Sequence, residues 1–440
     1  MNLVILDGTA GDPTAGRHLV NIAERLGAKV TRFPLANLRL APCLGDFECW
    51  IKTPGQCRTR DEVQDILRAM HHADLAVFLT PVVFGGYSAE LKKAVDRLIG
   101  LAHPNFHERD GLTRHVPRYD RYAPLLIIGL AERTDDEAAD IFREIAAGNA
   151  INLMAPIFRS LVLSLAKPGW QGAMEAALRD ALAEGPGEPL PPNPDAESLA
   201  LACAADPAGP KDTAPPKSVA LFVGSARPKG TSTSESLARQ LIGGLDKAGV
   251  ATTLVYASQF IKPGRAAEEG LAAILAADTL VVAAPLYVDG LPSLVSRALE
   301  QLAPRLGEGS HALRRVVGIL NNGYPEAVHN HLALRILRCF AHQNGLAWAG
   351  GLALGGGEAV QGRPLSSARL MLRTPIKALK MAAEALAAGR PVPPEASRLM
   401  ARPLVPARLY RWVARLRWII QARPNGIGRR QLGARPYDPA

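Results

Sequence analysis

The chain has little cysteine and no long apolar run. Its 440 residues contain five cysteines, an odd number that argues against a secreted disulfide framework. No uninterrupted apolar stretch is long enough to span a bilayer. The start, Met1–Asp7, lacks the basic region of a signal peptide and reaches an acid after five residues. These absences favour a cytoplasmic location.

Several catalytic signatures are also missing. The chain has no Walker loop, no G-x-G-x-x-G fingerprint and no G-x-S-x-G elbow. Histidines occur in pairs without the spacing of a metal site, which predicts surface histidines: His71, His72, His329 and His331. No metal site is therefore expected from the histidines. The missing G-x-S-x-G elbow argues against a hydrolase.

The positive charge is confined to the C-terminal end. The formal net charge is +10, but residues 390–440 hold eleven arginines against Glu395 and Asp438. The body of the chain is therefore close to neutral, which argues against a nucleic-acid partner.

Apolar runs and amphipathic stretches alternate twice along the chain. This pattern predicts parallel strands joined by crossover helices, and hence two flavodoxin-like doubly wound α/β sheets of five strands in tandem. Nine prolines in the stretch between the two halves predict a linker. The expected division is a first domain, a linker, a second domain and a basic helical tail, at 1–182, 183–217, 218–390 and 391–440.

An anion site is predicted at Val219–Ala238, near the middle of the chain. An apolar strand ends at Gly224, a hydroxyl-rich loop follows, and a helix opens close to Glu235. The N–H groups and the dipole of a helix start favour an anion, and Arg227 and Lys229 add charge. This loop suits a terminal monophosphate, although an ordinary capped turn has the same features.

A turn of special composition follows the third strand of each half. The first half has Thr80-Pro81 and then Gly85-Gly86, while the second half has Pro285 and then Gly290. Glycine lets backbone approach a flat ring closely. Well-formed turns without a ligand are the alternative.

Three cysteines cluster early in the chain, at Cys43, Cys49 and Cys57, with Asp46 at a position where a fourth cysteine would fit. A cubane iron–sulfur cluster normally takes four thiolates. Inert cysteines are favoured over redox-active thiols or zinc, and over a cluster.

The stretches GSARPKGTSTSESLA, TPVVFGGYSAELKKAVDR and APLYVDGLPS resemble the NADPH-dependent FMN reductase and flavodoxin-like oxidoreductase family. The cysteine segment is similar to one found in iron–sulfur flavoproteins. The resemblance covers residues 1–165 and 218–355 and implies FMN as cofactor, with NAD(P)H as electron donor.

By the same resemblance, the second-half loop would hold the phosphate through Ser225, Arg227, Thr231, Ser232 and Thr233. The flavin ring would face Pro285, Leu286, Tyr287, Val288, Asp289, Asn322, Gly323 and Tyr324. In the first half the ring candidates are Pro81, Val82, Val83, Phe84 and Gly85. The first-half phosphate loop departs from the family pattern because Asp7 and Asp12 would repel a phosphate.

The predicted function is transfer of a hydride from NAD(P)H to FMN and on to a small-molecule or protein acceptor, with no residue named as acid or base. The two halves would form an internal pseudo-dimer, or the chain a homodimer. An electron carrier that docks a redox partner and a flavin-free scaffold remain alternatives. The amphipathic tail helix is expected to dock on protein rather than on anionic lipid.

Overall fold

The protein is described by a computed structural model covering residues 1–11, 13–132, 135–183, 187–207, 214–309 and 311–438. The chain forms two compact units. The first comprises Met1–Pro192 with Arg411–Ala440, and the second Asn193–Tyr410.

The first unit is built around a parallel sheet of order β2-β1-β3-β7-β8, to which β4 adds a short antiparallel strand. Its strands are β1 Asn2–Asp7, β2 Lys29–Pro34, β3 Leu75–Val83, β4 Gly86–Tyr87, β5 Ala102–Arg109, β6 Leu112–Pro117, β7 Leu125–Ala131 and β8 Phe158–Ser164. Its helices are α1 Thr14–Arg25, α2 Glu48–Ile51, α3 Val63–His72, α4 Ala89–Val95, α5 Asp136–Asn152 and α6 Trp170–Leu182. Strands β5 and β6 form a separate hairpin that the sequence pattern did not predict.

The second unit repeats this order as β10-β9-β11-β12-β13. Its strands are β9 Ser218–Val223, β10 Ala251–Tyr256, β11 Thr279–Pro285, β12 Arg315–Asn321 and β13 Ala347–Leu354. Its helices are α7 Ala196–Cys203, α8 Thr233–Lys247, α9 Arg265–Leu275, α10 Ser293–Gly307, α11 His331–Gln343, α12 Arg373–Ala387 and α13 Pro394–Met400. Two sheets in this order confirm the predicted flavodoxin-like fold.

The same local devices form both halves. Each first helix is followed by a glycine with positive φ, Gly27 at 83° and Gly249 at 79°, which lets the chain turn back into the second strand. The central strands are buried on both faces, as parallel strands between helix layers must be. These repeated devices agree with a tandem duplication.

The last helix, α14 (Ala407–Ala422), carries the chain into the first unit, where residues 411–438 pack. Trp418 lies against Trp50 and Phe47, with ring centroids 5.2 and 5.3 Å away. The buried Arg118 donates hydrogen bonds to the carbonyl oxygens of Leu432 and Ala434. This segment of the tail is therefore an integral part of the first unit.

Some observations differ from the sequence predictions. The proline-rich stretch contains α7, which packs on α11. His329 and His331 were expected at the surface but are buried, at 3% and 9% exposure. His329 lies in the turn Ala327–Asn330 and His331 at the start of α11, and both elements pack against the sheet, which a spacing argument cannot detect. Among the described residues, none of the helices has the length and apolarity needed to cross a membrane.

Candidate functional site

Three loops of the second unit meet at the carboxyl edge of its sheet. They follow β9, β11 and β12, which are neighbours in the sheet. Asn321 joins them, because its Oδ1 accepts a hydrogen bond from Ser234 Oγ and its main-chain oxygen accepts one from Leu286 N, both at 2.8 Å. Asn321 directly precedes the predicted ring-facing residues Asn322–Tyr324, and a polar residue at the end of an apolar strand is the signal for it in the sequence.

The loop after β9 leads into the N-terminus of α8. Ser232 is the N-cap, and its Oγ accepts the N–H of Glu235 at 3.2 Å. The N–H groups of Thr233 and Ser234, in the first turn, have no partner within a helix. Together with the helix dipole they form an anion-binding position.

The charged groups of this loop are held close to it. Lys229 Nζ lies 4.6 Å from the centre of the Tyr256 ring. An Arg227 guanidinium nitrogen lies 3.7 Å from a carboxylate oxygen of Glu358, and both side chains are about one-fifth exposed. A bound phosphate would therefore compete with Glu358 for Arg227.

The hydroxyl groups of the loop fall into two sets. Thr231 Oγ1 donates to the carbonyl of Pro228 at 2.6 Å, and Thr233 Oγ1 donates to that of Gly357 at 2.8 Å. Ser225 and Ser232 instead accept backbone N–H groups, so each keeps its own proton for a ligand. The donor set that suits a monophosphate is thus the backbone of the first turn, two serine hydroxyls and Arg227.

Glu235 stabilises the loop after β9 and was not predicted as a site residue. Its carboxylate is buried and accepts hydrogen bonds from Gly230 N at 2.5 Å and from Tyr256 Oη at 3.0 Å. Burial raises the pKa of Glu235, but the hydrogen bonds from Gly230, Arg239 and Tyr256 outweigh it and lower the pKa overall. The S-x-x-E spacing from Ser232 to Glu235 was the signal available in the sequence.

The turn after β11 has a constrained backbone. Tyr287 and Gly290 exchange two hydrogen bonds, and the residues between them, Val288 and Asp289, have φ of 43° and 58°. Two positive φ angles are the mark of a type I′ turn. A β-branched residue rarely adopts positive φ, and such strain is concentrated at functional sites.

The loop after β12 is braced by its own side chains. Asn322 Oδ1 accepts the N–H of Tyr324 at 2.8 Å, and Tyr410 Oη donates to the carbonyl of Gly323 at 2.7 Å. The Tyr324 ring packs on His329, with centroids 4.5 Å apart. The predicted ring-facing residues Pro285–Asp289 and Asn322–Tyr324 therefore lie on two adjacent, ordered loops.

In the first unit, a buried carboxylate lies beside the start of the first helix. Asp7 ends β1, and its Oδ1 accepts Thr9 N at 3.0 Å and Thr9 Oγ1 at 2.6 Å. Its Oδ2 accepts Arg32 Nε at 2.8 Å. A Cβ on Gly16, in the first turn of α1, would lie 2.0 Å from that same Oδ2. Asp12, the other acid predicted to repel phosphate, lies outside the described residues.

The first-unit ring position is covered by its own helix. The turn after β3 matches the second-unit turn, with Phe84 and Gly85 at φ of 53° and 83°. A Cβ on Gly85 would lie 2.7 Å from Ile141 of α5, and Tyr87 packs edge-on against Phe142. Of the first-half candidates Pro81–Gly85, Gly85 therefore packs directly against α5, whereas Pro81–Phe84 are partly exposed. In the loop after β7, Arg133 and Thr134 lie outside the described residues.

The three early cysteines lie in the first unit. Desolvation raises the pKa of Cys43 to about 12, and it raises the pKa of Cys49 well above its usual value. An Arg97 guanidinium nitrogen donates to Cys57 Sγ at 3.1 Å. Across the described part of the chain, no three cysteine, histidine or carboxylate side chains are arranged to hold a metal ion.

Parts of the chain are similar to known flavoproteins. The chain is 38% identical over 81 residues to an iron-sulfur flavoprotein of Methanocaldococcus jannaschii, which is 18% of this chain and 41% of that protein. It is 27% identical over 108 residues to an iron-sulfur flavoprotein of Methanosarcina thermophila, 23% of this chain and 56% of that protein. The chain thus spans about half the length of these curated relatives.

An NAD(P)H:quinone oxidoreductase from Methanothermobacter marburgensis is similar at 16% identity, with a TM-score of 0.33 over 41% of this chain and 97% of that one. A score of this size carries no functional inference.

A sequence profile described as NADPH-dependent FMN reductase matches residues 1–110 and 217–388, more than half of the chain. The two matched regions confirm the tandem duplication predicted from the sequence. The description of that family names FMN and NADPH. The chain therefore belongs to the NADPH-dependent FMN reductase family.

Proposed function

We propose that the second unit binds one FMN per chain and passes a hydride from NAD(P)H through it to a separate acceptor. The observation that carries this proposal is the N-terminus of α8, where the first-turn N–H groups, the hydroxyls of Ser225 and Ser232 and the side chain of Arg227 can donate to one anion. In the first unit the buried carboxylate of Asp7 lies beside the start of α1 and would repel a phosphate.

The phosphate would be held mainly by backbone and charge. The N–H groups of Thr233 and Ser234 donate along the axis of α8, where the helix dipole favours an anion. Arg227 exchanges its long contact with Glu358 for a charge-assisted hydrogen bond, which is the stronger interaction. Glu235 keeps the loop in place through Gly230.

The ring would lie between the two ordered loops after β11 and β12. FMN, when bound, supplies the hydride chemistry. Turn residues Leu286–Asp289 present backbone to the ring edge, and Tyr324, fixed by Asn322 and His329, presents an aromatic face. These groups orient the ring and exclude water, so the chain needs no general acid or base. A small-molecule or a protein acceptor would take the electrons.

The test is titration with FMN followed by NADPH. The wild type is expected to bind one FMN per chain, and Arg227→Ala to bind it about 10- to 100-fold more weakly, because a charge-assisted hydrogen bond contributes about 1.5–3 kcal/mol. Arg265→Ala is the matched control, since that side chain is 92% exposed and lies in α9 of the same unit. The control should bind FMN like the wild type.

Two outcomes would count against the proposal. A stoichiometry of two FMN per chain would show that Asp7 does not block the first unit, and equal affinities for the two arginine variants would place the phosphate elsewhere. Bleaching of the bound flavin by NADPH supports the reductase, whereas FMN that binds but does not bleach supports the electron carrier.

A further inference from the structure

We infer that α14 is a docking surface for an anionic lipid bilayer, separate from the flavin site. The tail packs on the first unit through only one face of the helix. Trp418 and Ala422 are buried there, at 4% and 0% exposure. The opposite face carries Trp412, Val413, Leu416 and Ile420, which are 61%, 47%, 41% and 64% exposed.

These four side chains form one stripe. Their spacing of one, three and four residues places them on the same side of a helix, about 180° from Trp418. An exposed apolar patch of this kind, on the order of a few hundred Å², marks an interaction surface on a soluble domain. The remaining question is which partner covers it.

The charge around the stripe selects the partner. Residues 411–438 contain seven arginines and one acid, Asp438. Arg415, Arg423, Arg429 and Arg430 are exposed, and in the described part of the chain none of them forms an ion pair within 4.0 Å. Arginines beside an apolar helix face can reach phosphate and carboxylate headgroups while the apolar side chains enter the acyl boundary.

A second copy of the chain fits this surface less well. Face-to-face pairing of two such stripes would bring the arginines of both copies together, and like charges repel. The patch is also smaller than the roughly 800 Å² per partner that a stable interface buries. An anionic bilayer instead supplies opposite charge, and an interfacial tryptophan such as Trp412 is typical of helices lying in a membrane surface.

The helix is already anchored for this role. Arg411 donates to Glu108 and to Thr113, both of the β5–β6 hairpin, and Asn425 donates to the carbonyl of Ile51. The helix thus needs no folding on the membrane, and binding orders few additional groups. The apolar stripe is therefore already exposed on a folded helix before any membrane contact.

The experiment is sedimentation of the full chain with vesicles of phosphatidylcholine alone and of an equal mixture with phosphatidylserine. We expect binding to the mixed vesicles, weakened by salt, and a blue shift of tryptophan emission that Trp412→Phe reduces. Ile420→Glu should lower the vesicle partition coefficient by about tenfold or more, because it replaces an apolar contact by a group with the same negative charge as the lipid. Arg429→Gln with Arg430→Gln should weaken binding to the mixed vesicles by about tenfold or more.

The matched control is Leu201→Glu. Leu201 is 63% exposed, as Ile420 is, but lies on α7 in the second unit. Leu201→Glu should bind the mixed vesicles like the wild type, apart from the small effect of one added negative charge. Circular dichroism should show that all variants are folded. Failure of the wild type to sediment with the mixed vesicles, or an equal loss in Leu201→Glu, would overturn the inference. A concentration-dependent dimer that Ile420→Glu dissociates would assign the stripe to a second copy instead.

Discussion

The two halves of the chain treat the same position in opposite ways. In both, the first glycine after the first strand donates its N–H to the third strand at 2.7 Å, Gly8 to Leu79 and Gly224 to Ala283. Directly before that glycine the first half has the buried carboxylate of Asp7, whereas the second half has the buried apolar side chain of Val223. A fixed negative charge therefore lies beside the start of α1, and none lies at the matching residue before α8.

The loop between the first strand and the first helix therefore has a structural role in the first half and a proposed binding role in the second. Asp7 is buried, and both its oxygens are engaged by Thr9 and Arg32, so the first half is complete without a ligand. In the second half the hydroxyls of Ser225 and Ser232 accept backbone N–H groups and can donate their own protons to a ligand. Variants at matched positions should therefore affect folding in the first half and affinity in the second.

The largest effect is expected from Arg32→Met. The Asp7 side chain is 1% exposed, so loss of its partner leaves a buried, uncompensated charge and should cost the first unit about 3–5 kcal/mol. The cysteines report on each unit separately: in rising urea, labelling of Cys43 by dithiodipyridine should begin earlier, while labelling of Cys339 should not change. The matched control is Leu254→Met, because Leu254 of β10 pairs with Leu221 of β9 in the same register as Arg32 of β2 pairs with Ile5 of β1. It should not destabilise the first unit.

The double variant Asp7→Asn with Arg32→Met sharpens this test. Removing the charge together with its partner should recover more than half of the lost free energy of unfolding, because a neutral amide is cheaper to bury. A double variant as unstable as Arg32→Met alone would show that the arginine stabilises the unit by packing and not by compensating Asp7.

A smaller effect is expected on acidification. The β5–β6 hairpin follows the third strand and its helix in the first half. At the same place in the second half, α10 continues to Gly307. Desolvation lowers the pKa of both His103 and His115 to about 4 from an ordinary value of 6.5. Their contribution to stability is therefore complete above pH 6.5 and declines as the pH falls towards 4, because the unfolded chain takes up protons first.

Between pH 7 and pH 5 the first unit should lose about 1–2 kcal/mol more than the second, as measured by the same cysteine labelling. His115→Gln, which cannot titrate, should remove about half of this difference. An unchanged pH dependence in that variant would show that other groups control the acid sensitivity.

The smallest effect concerns the strained turn. Val288 holds a φ of 43°, a conformation that asparagine adopts more readily, so Val288→Asn should stabilise the second unit by up to about 1 kcal/mol. The urea midpoint of Cys339 labelling measures this change. As a control in the same unit, Leu201→Asn, at an exposed helical position, should shift the stability of the second unit by less than about 0.5 kcal/mol. Destabilisation by Val288→Asn would mean that valine makes contacts there that outweigh the strain.

Much of the fold was predictable because the strands are buried on both faces. The apolar runs at Leu75–Leu79 and Val219–Val223 are short and bounded by polar residues, so pattern alone places them. The hairpin of β5 and β6 escaped prediction because its residues are partly exposed and include prolines and histidines, which mask the alternation. Helix α7 lay in a stretch whose prolines suggested a linker.

The candidate site was predicted in outline only. Turn chemistry identified the loop from Gly224 to Ser234, since hydroxyl residues between a strand and a helix are a local signal. The roles of Asn321 and Glu235 depend on partners 87 and 5 residues away. The division of the hydroxyls between protein carbonyls and a ligand could not be read from composition, because it depends on which carbonyl lies nearby.

The sequence by itself determined the two α/β halves, their duplication, the anion loop and the amphipathic tail, because periodicity and turn residues are local properties. Only the tertiary structure decided that Asp7 pairs with Arg32, that α5 packs on Gly85 of the first-half turn, and that α14 packs by one face and exposes the other. Each of these depends on groups far apart in the chain meeting in a packed interior, where burial makes charge pairing obligatory. Local patterns carry no information on that meeting.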